Sequence, residues 1–388
     1  MVQRPARVND SLAPLLETRR VILCVGSGGV GKTTTTAALG LAAAKRGRRA
    51  LCLTIDPARR LAQSLGLEQL RADAQLVGPE RFAAAGLEVP GELTVMMLDT
   101  KRTFDSIVER YASSPEARDR ILNNRLYQYV SSALSGTREY MAMEKLYEVK
   151  SDLRYDTIIL DTPPTSHALD FLDAPERLID ALDSSAMRWF VKAFQSTGKL
   201  SLNVLARSAA MALRGLGRIT GRGFLEQVAE FVSELHHLFG GFTERAREVQ
   251  TALRGADVAY VLVTSPSPMA IREVVYFSER LESLRLPSDA FVINRVHVAP
   301  PATYDLAEIE QAIARRSVRM DDDAAKRLHD AVRDEAVQAA LDAHHLTLLD
   351  RALDGSAAKS IRVRVPAFPY DVHDLTSLDD VARILARP

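Results

Sequence analysis

The sequence predicts an α/β fold with a doubly wound, mostly parallel sheet, and three observations predict it. Short apolar runs rich in β-branched residues recur along the 388-residue chain, as strands buried on both faces require. Helical patterns separate each run from the next, the arrangement that joins parallel strands. The first run leads straight into a glycine-rich turn, GSGGVGKTT, that opens a helix. The expected strands are Val21–Val25, Ala50–Ile55, Leu93–Leu98, Thr157–Leu160, Val258–Thr264, Ala290–Asn294 and Ile361–Val365.

Two long stretches interrupt the alternation. From Leu182 to Arg254 there is no plausible strand; Met187, Phe190, Val191 and Phe194 repeat at helical spacing, and Leu202, Leu205, Ala209, Ala212, Leu213 and Leu216 continue it. Phe224, Val228, Phe231, Leu235 and Leu238 then form an apolar stripe at four-three spacing. Between these helical patterns, glycines from Gly215 to Gly223 alternate with Arg214, Arg218 and Arg222, which reads as a mobile joint. The second interruption, about Pro300 to Ala358, is charged and helical and is expected to lie over the surface. The expected organisation is a core segment over 1–181, a helical subdomain over 182–254, and a second core segment over 255–388 carrying a helical insertion at 300–358.

Composition excludes several classes of protein. Hydrophobic residues make up 47% and charged residues 26%, enough apolar matter for a real core. Fifty basic residues balance fifty acidic ones, so no global field draws the chain to nucleic acid or an anionic bilayer. Cys24 and Cys52 are the only cysteines, and both sit inside apolar runs, so two reduced core thiols are expected. That count rules out a disulfide framework and a cysteine-only zinc site within one chain. The first twenty residues lack an apolar h-region, and no apolar run reaches the length of a membrane span. A cytoplasmic protein without membrane insertion is the expectation.

The segment Gly26 to Thr33 fits GxxxxGK[ST] in full, after a strand and before a helix, which is the context the motif needs. Its glycines let backbone N–H groups converge on phosphate oxygens, and the new helix adds its positive end. Lys32 would neutralise the β- and γ-phosphates, and the Thr33 hydroxyl would ligate Mg²⁺. Gly28, Gly29, Val30, Gly31, Lys32, Thr33 and Thr34 therefore form the expected binding set for ATP, and the fold is of P-loop NTPase type. Two carboxylates complete the chemistry. Asp161 ends the run TIIL at the carboxyl edge of the sheet, where it could hold Mg²⁺ through water. Asp56 ends ALCLTI, ahead of Pro57, and could orient or deprotonate the attacking water. Lys32, Asp56 and Asp161 are thus the catalytic candidates. An aspartate at a strand end alone is more often a turn or helix cap.

With these residues in view, the sequence resembles the ATPases related to the arsenite pump ATPase (ArsA) and to the eukaryotic factor that targets tail-anchored membrane proteins. These belong to the dimeric, deviant-Walker class that includes nitrogenase iron protein and the MinD and ParA ATPases. The resemblance rests on GSGGVGKTTT, TIDPARRLAQSLGL, LDTPPTSHALDFLDAP, FVINRV and VPAFPYDVHDLTSL, in that order, with Gly136-Thr-Arg-Glu139 as a weaker match. It implies that Asp56 positions the hydrolytic water in switch I. It implies that Asp161 begins switch II, which includes Pro164, Thr165 and His167. It further implies that Asn294 contacts adenine, that residues around Pro366 to Asp371, Phe368 among them, cover the base, and that Glu273 approaches nucleotide near a dimer interface. Without the resemblance, Asn294 reads as a strand-end cap and Glu273 as a solvated helix residue.

Departures from the family pattern carry equal weight. The family's loop begins with a lysine that crosses the dimer to the partner's phosphates, and here that position is Ser27. A serine is too short and uncharged for this contact, and stabilising phosphoryl charge is most of the available catalysis. A homodimer would lack both such lysines and turn over slowly unless an arginine substitutes. A heterodimer with a lysine-bearing paralogue would keep one assisted site. The wording of GSGGVGKTT and IDPARRLAQ is similar to an actinobacterial branch in which such pairs occur, and a paired partner is the expectation. The cysteine cluster of the arsenite pumps and the CxxC clasp of the targeting factor are both missing. The expected function is an ATP-driven switch whose helical subdomain handles a hydrophobic client or partner. The alternatives are an energy-coupling subunit of an anion or metalloid exporter, or a MinD/ParA-like positioning ATPase.

Overall fold

A computed structural model of the chain describes residues 11–55, 59–67, 70–124, 127–128, 131, 137–162, 180, 244–302, 304–315, 321, 323–355 and 357–387. Its strands are β1 (Val21–Gly26), β2 (Arg49–Thr54), β3 (Gln75–Leu76), β4 (Glu92–Met97), β5 (Thr157–Asp161), β6 (Val258–Thr264), β7 (Ala290–Val296) and β8 (Ile361–Pro366). The helices are α1 (Ala13–Thr18), α2 (Lys32–Lys45), α3 (Arg59–Ser64), α4 (Pro79–Ala84), α5 (Thr100–Tyr111), α6 (Pro115–Asn123), α7 (Thr137–Lys150), α8 (Pro268–Ser283), α9 (Leu306–Arg315), α10 (Ala324–Leu353) and α11 (Leu375–Leu385). The chain divides into two compact units, one of Met1–Met97, Leu153–Ala168 and Ala256–Pro388, the other of Leu98–Asp152 and Leu169–Gly255.

The first unit holds the sheet, ordered β3-β4-β2-β5-β1-β6-β7-β8. Every described pairing is parallel except β3 with β4. This is the α/β, doubly wound, mostly parallel sheet that the alternating runs predict. The seven expected strands are all present, with ends shifted by a residue or two; Leu98 falls just beyond β4, and β7 runs on past Asn294 to Val296. The eighth strand, β3, escapes sequence reading because two residues, Gln75 and Leu76, make no periodic pattern. It forms because Leu76 and Gln75 pair with Thr94 and Val95 at the sheet edge.

Sheet order positions the site. The chain leaves β1 in one direction to reach β2 and leaves β5 in the other to reach β6, so a crevice opens at the carboxyl ends near β1. Helix α2 begins there. Residues Thr35 to Ala44 along it are all buried, as a helix enclosed on every side requires. Its small residues allow close approach to the sheet; a Cβ on Gly40 would lie 2.9 Å from Leu93 Cδ1 and would collide with Cys52 Sγ. Helix α11 covers the outer face of α2 with Leu378, Val381 and Leu385, and Lys45 pairs with Asp379 at 2.6 Å. A capping box of Asp374 and Ser377 starts α11, which fixes the end of the segment that follows β8. The charged stretch at 300–358 contains α9 and α10.

Within the second unit, Asp99 caps α5 by accepting from Arg102 N at 2.9 Å, and Ser114 caps α6 by accepting from Ala117 N at 3.2 Å. A helical run over 244–253 carries Arg245, which pairs with Glu144 of α7 at 2.7 Å and lies 4.0 Å from the centre of the Tyr147 ring. Burial is the largest single influence on Arg245 and opposes its charge, but hydrogen bonds to Glu144 and Glu248 and the charge of Glu144 together outweigh it and raise the guanidinium pKa. The helical subdomain expected over 182–254, with its stripes and glycine joint, lies outside the described residues up to 243.

Candidate nucleotide site

The turn after β1 is built to approach phosphate. Gly29 and Gly31 hold φ of 77° and 98°, the left-handed region that a side chain resists. Gly28 and Gly29 are exposed, while Ser27, Val30 and Lys32 are buried. Lys32 Nζ donates to Ser27 O at 2.8 Å, so the ammonium is folded over the loop it belongs to. Helix α2 starts at Lys32, which aims its first N–H groups and positive end at the same place.

Asp161 ends β5 beside the loop, in register with Cys24 on β1 and Thr54 on β2. Its Oδ2 accepts from Thr33 Oγ1 at 2.7 Å and from Thr54 Oγ1 at 3.3 Å. A hydroxyl and a carboxylate in contact at a buried sheet edge form a hard oxygen set that suits Mg²⁺, which keeps several of its waters. The thiols offer no competing chemistry. Burial pushes Cys24 up to about 12 against a hydrogen bond from Thr36, and burial raises Cys52 as well.

Next to the loop lies a cavity of about 400 Å³ whose walls include Thr34, Asn294, His297, Pro366, Phe368 and Tyr370. Phe368 and Tyr370 stack with ring centres 5.4 Å apart, and the Tyr370 hydroxyl donates to Asp380 at 2.7 Å. Polar side chains such as Gln63, Ser64 and Asp371 share the walls with apolar ones such as Pro366, Phe368 and Val372, a lining that offers a planar base both apolar faces and polar partners. Asn294 Nδ2 donates to Val30 O at 2.9 Å and ties β7 to the phosphate loop. Gly31 is required here a second time, because a Cβ on it would collide with Asn294 Nδ2.

The structure therefore brings together Val30, Gly31, Lys32, Thr33, Thr34, Asp161, Asn294, Pro366 and Phe368 around one crevice. Glu273 is half-buried on α8 and is not among the residues that wall the cavity. Asp56, Pro164, Thr165 and His167 lie outside the described residues. Sequence reading missed Thr54 and His297, whereas Tyr370 falls within the segment Pro366 to Asp371 expected to cover the base. Thr54 had a signal, as the polar residue next to last in the run ALCLTI, whereas His297 sits three residues past Asn294 and becomes a wall only through the shape of the strand end.

Comparison with known proteins finds relatives over most of the chain. Residues 19–322 match the family described as anion-transporting ATPase. The protein ATPase GET3 of Podospora anserina is 26% identical over 317 residues, covering 80% of this chain and 84% of its own length. ATPase GET3 of Chaetomium globosum is 25% identical over 315 residues, with 80% and 82% covered. The Neurospora crassa ATPase get3 is 26% identical over 315 residues, with 80% and 83% covered. With a complete phosphate loop, its strand-end aspartate and a match over most of its length, this chain belongs to the anion-transporting ATPase family and is an ATPase.

Proposed function

We propose that the chain is a dimeric, Mg²⁺-dependent ATP switch that couples its nucleotide state to the helical stretch at 182–254 and to a hydrophobic client or partner held there. One observation carries the coupling: Asp161 Oδ2 accepts hydroxyls from Thr33, on the phosphate-loop helix, and from Thr54, at the end of the strand leading to Asp56. A change at the phosphate is thereby linked to both strands from which switch I and switch II of such an ATPase would depart. In this reading the loop N–H groups and Lys32 bind the β- and γ-phosphates, and Thr33 with Asp161 holds the metal, Asp161 through water. Bound Mg²⁺ supplies charge neutralisation between those phosphates. Asp56 orients the attacking water, while Asn294, Pro366 and Phe368 seat the adenine, with Glu273 near the dimer seam.

Ser27 brings no charge to a partner's phosphates, so assistance comes from a lysine-bearing paralogue in a heterodimer. The client proposal rests on the aromatic and aliphatic content of 182–254. A cytoplasmic location and no bound nucleic acid belong to this reading as expectations; among the described residues no helix is long and apolar enough to cross a membrane. The family's description gives a second reading, coupling of ATP to anion export. Thiol capture of a metalloid has no support from Cys24 and Cys52, both buried, so stimulation of turnover by an oxyanion is the test of that reading.

The test of the main reading measures ATP affinity, phosphate release and particle mass together. Lys32→Ala is expected to lose tight ATP binding, and an unchanged affinity overturns the loop assignment. Asp56→Asn is expected to bind ATP, release no phosphate and stay in an ATP-held dimer. Turnover at the wild-type rate in that variant removes Asp56 from the water-positioning role.

A further inference from the structure

The end of β7 has a geometry that the phosphate loop does not require. Asn294 and His297 are three residues apart, and an odd separation puts two residues of a regular strand on opposite faces. Here both wall the same cavity. A register irregularity between Ile293 and Val296, with Arg295 at φ 60°, turns the chain between them. A non-glycine residue in that region is strained, and such strain is kept where the surrounding structure holds it.

Hydrogen bonding fixes what each side chain presents. The Val30 carbonyl can only accept, so the group of Asn294 that contacts it at 2.9 Å is its NH₂, which leaves Oδ1 as the outward atom. Asp342 of α10 accepts the backbone N–H of His297 at 2.8 Å and contacts its Nδ1 at 2.9 Å through the same oxygen, Oδ2. A carboxylate oxygen accepts, so Nδ1 carries the ring proton and Nε2 of the neutral ring is an acceptor. Among the described residues, neither Asn294 Oδ1 nor His297 Nε2 has a hydrogen-bond donor.

We propose that His297, oriented by Asp342, is a specificity-determining residue that accepts a hydrogen bond from the exocyclic amine of adenine and, with Asn294, selects ATP over GTP. An amine bears two N–H groups and matches two acceptors. The O6 of guanine is an acceptor in the same place and would leave them unpaired and facing a like group, the kind of mismatch that gives strong discrimination. Asp342 is the positioning residue: it is buried on α10, 45 residues further along the chain, and holds both the ring and the backbone that follows the bulge. This inference rests on the ATP-site reading above.

The experiment measures affinities of the full chain for ATP, GTP and the triphosphate of purine riboside, which is ATP without the amine. Wild type is expected to bind ATP about tenfold or more tightly than the analogue, the worth of about one or two hydrogen bonds. His297→Phe keeps a ring of similar shape and is expected to lose most of that ratio while keeping its affinity for the analogue, which also reports that the site has folded. Asp342→Ala should lower the ratio in the same way, and Asp342→Asn, which retains an acceptor, should restore most of it. A structural role alone would weaken all three nucleotides together and leave the ratio unchanged, which overturns the proposal. A wild-type ratio near one overturns it whatever the variants do. Failure of the underlying reading looks different: no triphosphate would bind, or binding would be indifferent to Lys32→Ala.

Discussion

At the scale of single residues, burial decides which side chains can do chemistry. Cys24 stands opposite Asp161 in the sheet, and Cys52 lies under α2 against Gly40. Desolvation keeps both thiols protonated at neutral pH, with Cys24 raised to about 12 and Cys52 raised further by burial and by Cys24 and Asp161 nearby. Because the thiolate is the reactive form, iodoacetamide at pH 8 is expected to modify neither cysteine in the folded protein and both after denaturation in guanidinium. Modification of the folded chain at the rate of a free thiol would remove these residues from the core. Ser27 shows the same control by burial. Its side chain is enclosed and its carbonyl accepts Lys32, so the residue serves its own loop.

Elements begin and end where local hydrogen bonds can be closed. Helix α8 ends in a Schellman arrangement, with Leu286 N donating to Leu281 O and Arg285 N to Glu282 O, each at 2.8 Å. Arg285 takes the left-handed position at φ 58°, where glycine is the favoured residue. Arg285→Gly relieves about 1 kcal/mol of strain and returns part of it through a freer unfolded chain. A net gain on the order of 0.5 kcal/mol is expected, read as a higher urea midpoint, and a lower midpoint would refute the strain. The start of β2 is tied to β5 by Asp156, whose carboxylate accepts from the Arg49 side chain at 2.6 Å and from its backbone at 2.9 Å. Those hydrogen bonds lower its pKa to about 2 from 3.8. A lowered carboxylate pKa gives stability that is complete above the unfolded value and lost as pH falls from about 4 to about 2. Both groups are partly exposed, so Asp156→Asn should cost no more than about 1 kcal/mol at pH 7. The difference from wild type should vanish near pH 2, and a cost independent of pH would place it outside the ion pair. The sequence revealed the strands themselves because both faces are apolar, but it did not reveal β3, whose pairing is made by β4 alone.

For the molecule as a whole, the open quantity is the help one copy gives another. In the proposed dimer, Ser27→Lys restores a cationic group between two nucleotide sites. A single donor to developing phosphoryl or oxyanion charge commonly changes turnover by about a hundredfold or more. At least a ~10-fold rise in phosphate release is expected, with the exposed Gly28 and Gly29 leaving the lysine a way out of the loop. An ATP-dependent dimer of Ser27→Lys with unchanged turnover would sink the cross-subunit argument.

What the sequence by itself determined was local. Apolar runs flanked by helical patterns gave seven strands, and the spacing of Gly26 to Thr33 gave the phosphate loop, because burial and backbone approach are written in consecutive residues. Strand ends placed Asp161 at the carboxyl edge for the same reason. Tertiary structure alone decided that Thr33 and Thr54 share one oxygen of Asp161, and that Asn294 locks onto Val30 across 264 residues. It also decided that His297 faces the same cavity as Asn294, since that depends on a bulge, a left-handed Arg295 and a carboxylate on α10. Such pairings are set by register and packing between distant segments, and periodicity along a chain does not encode them.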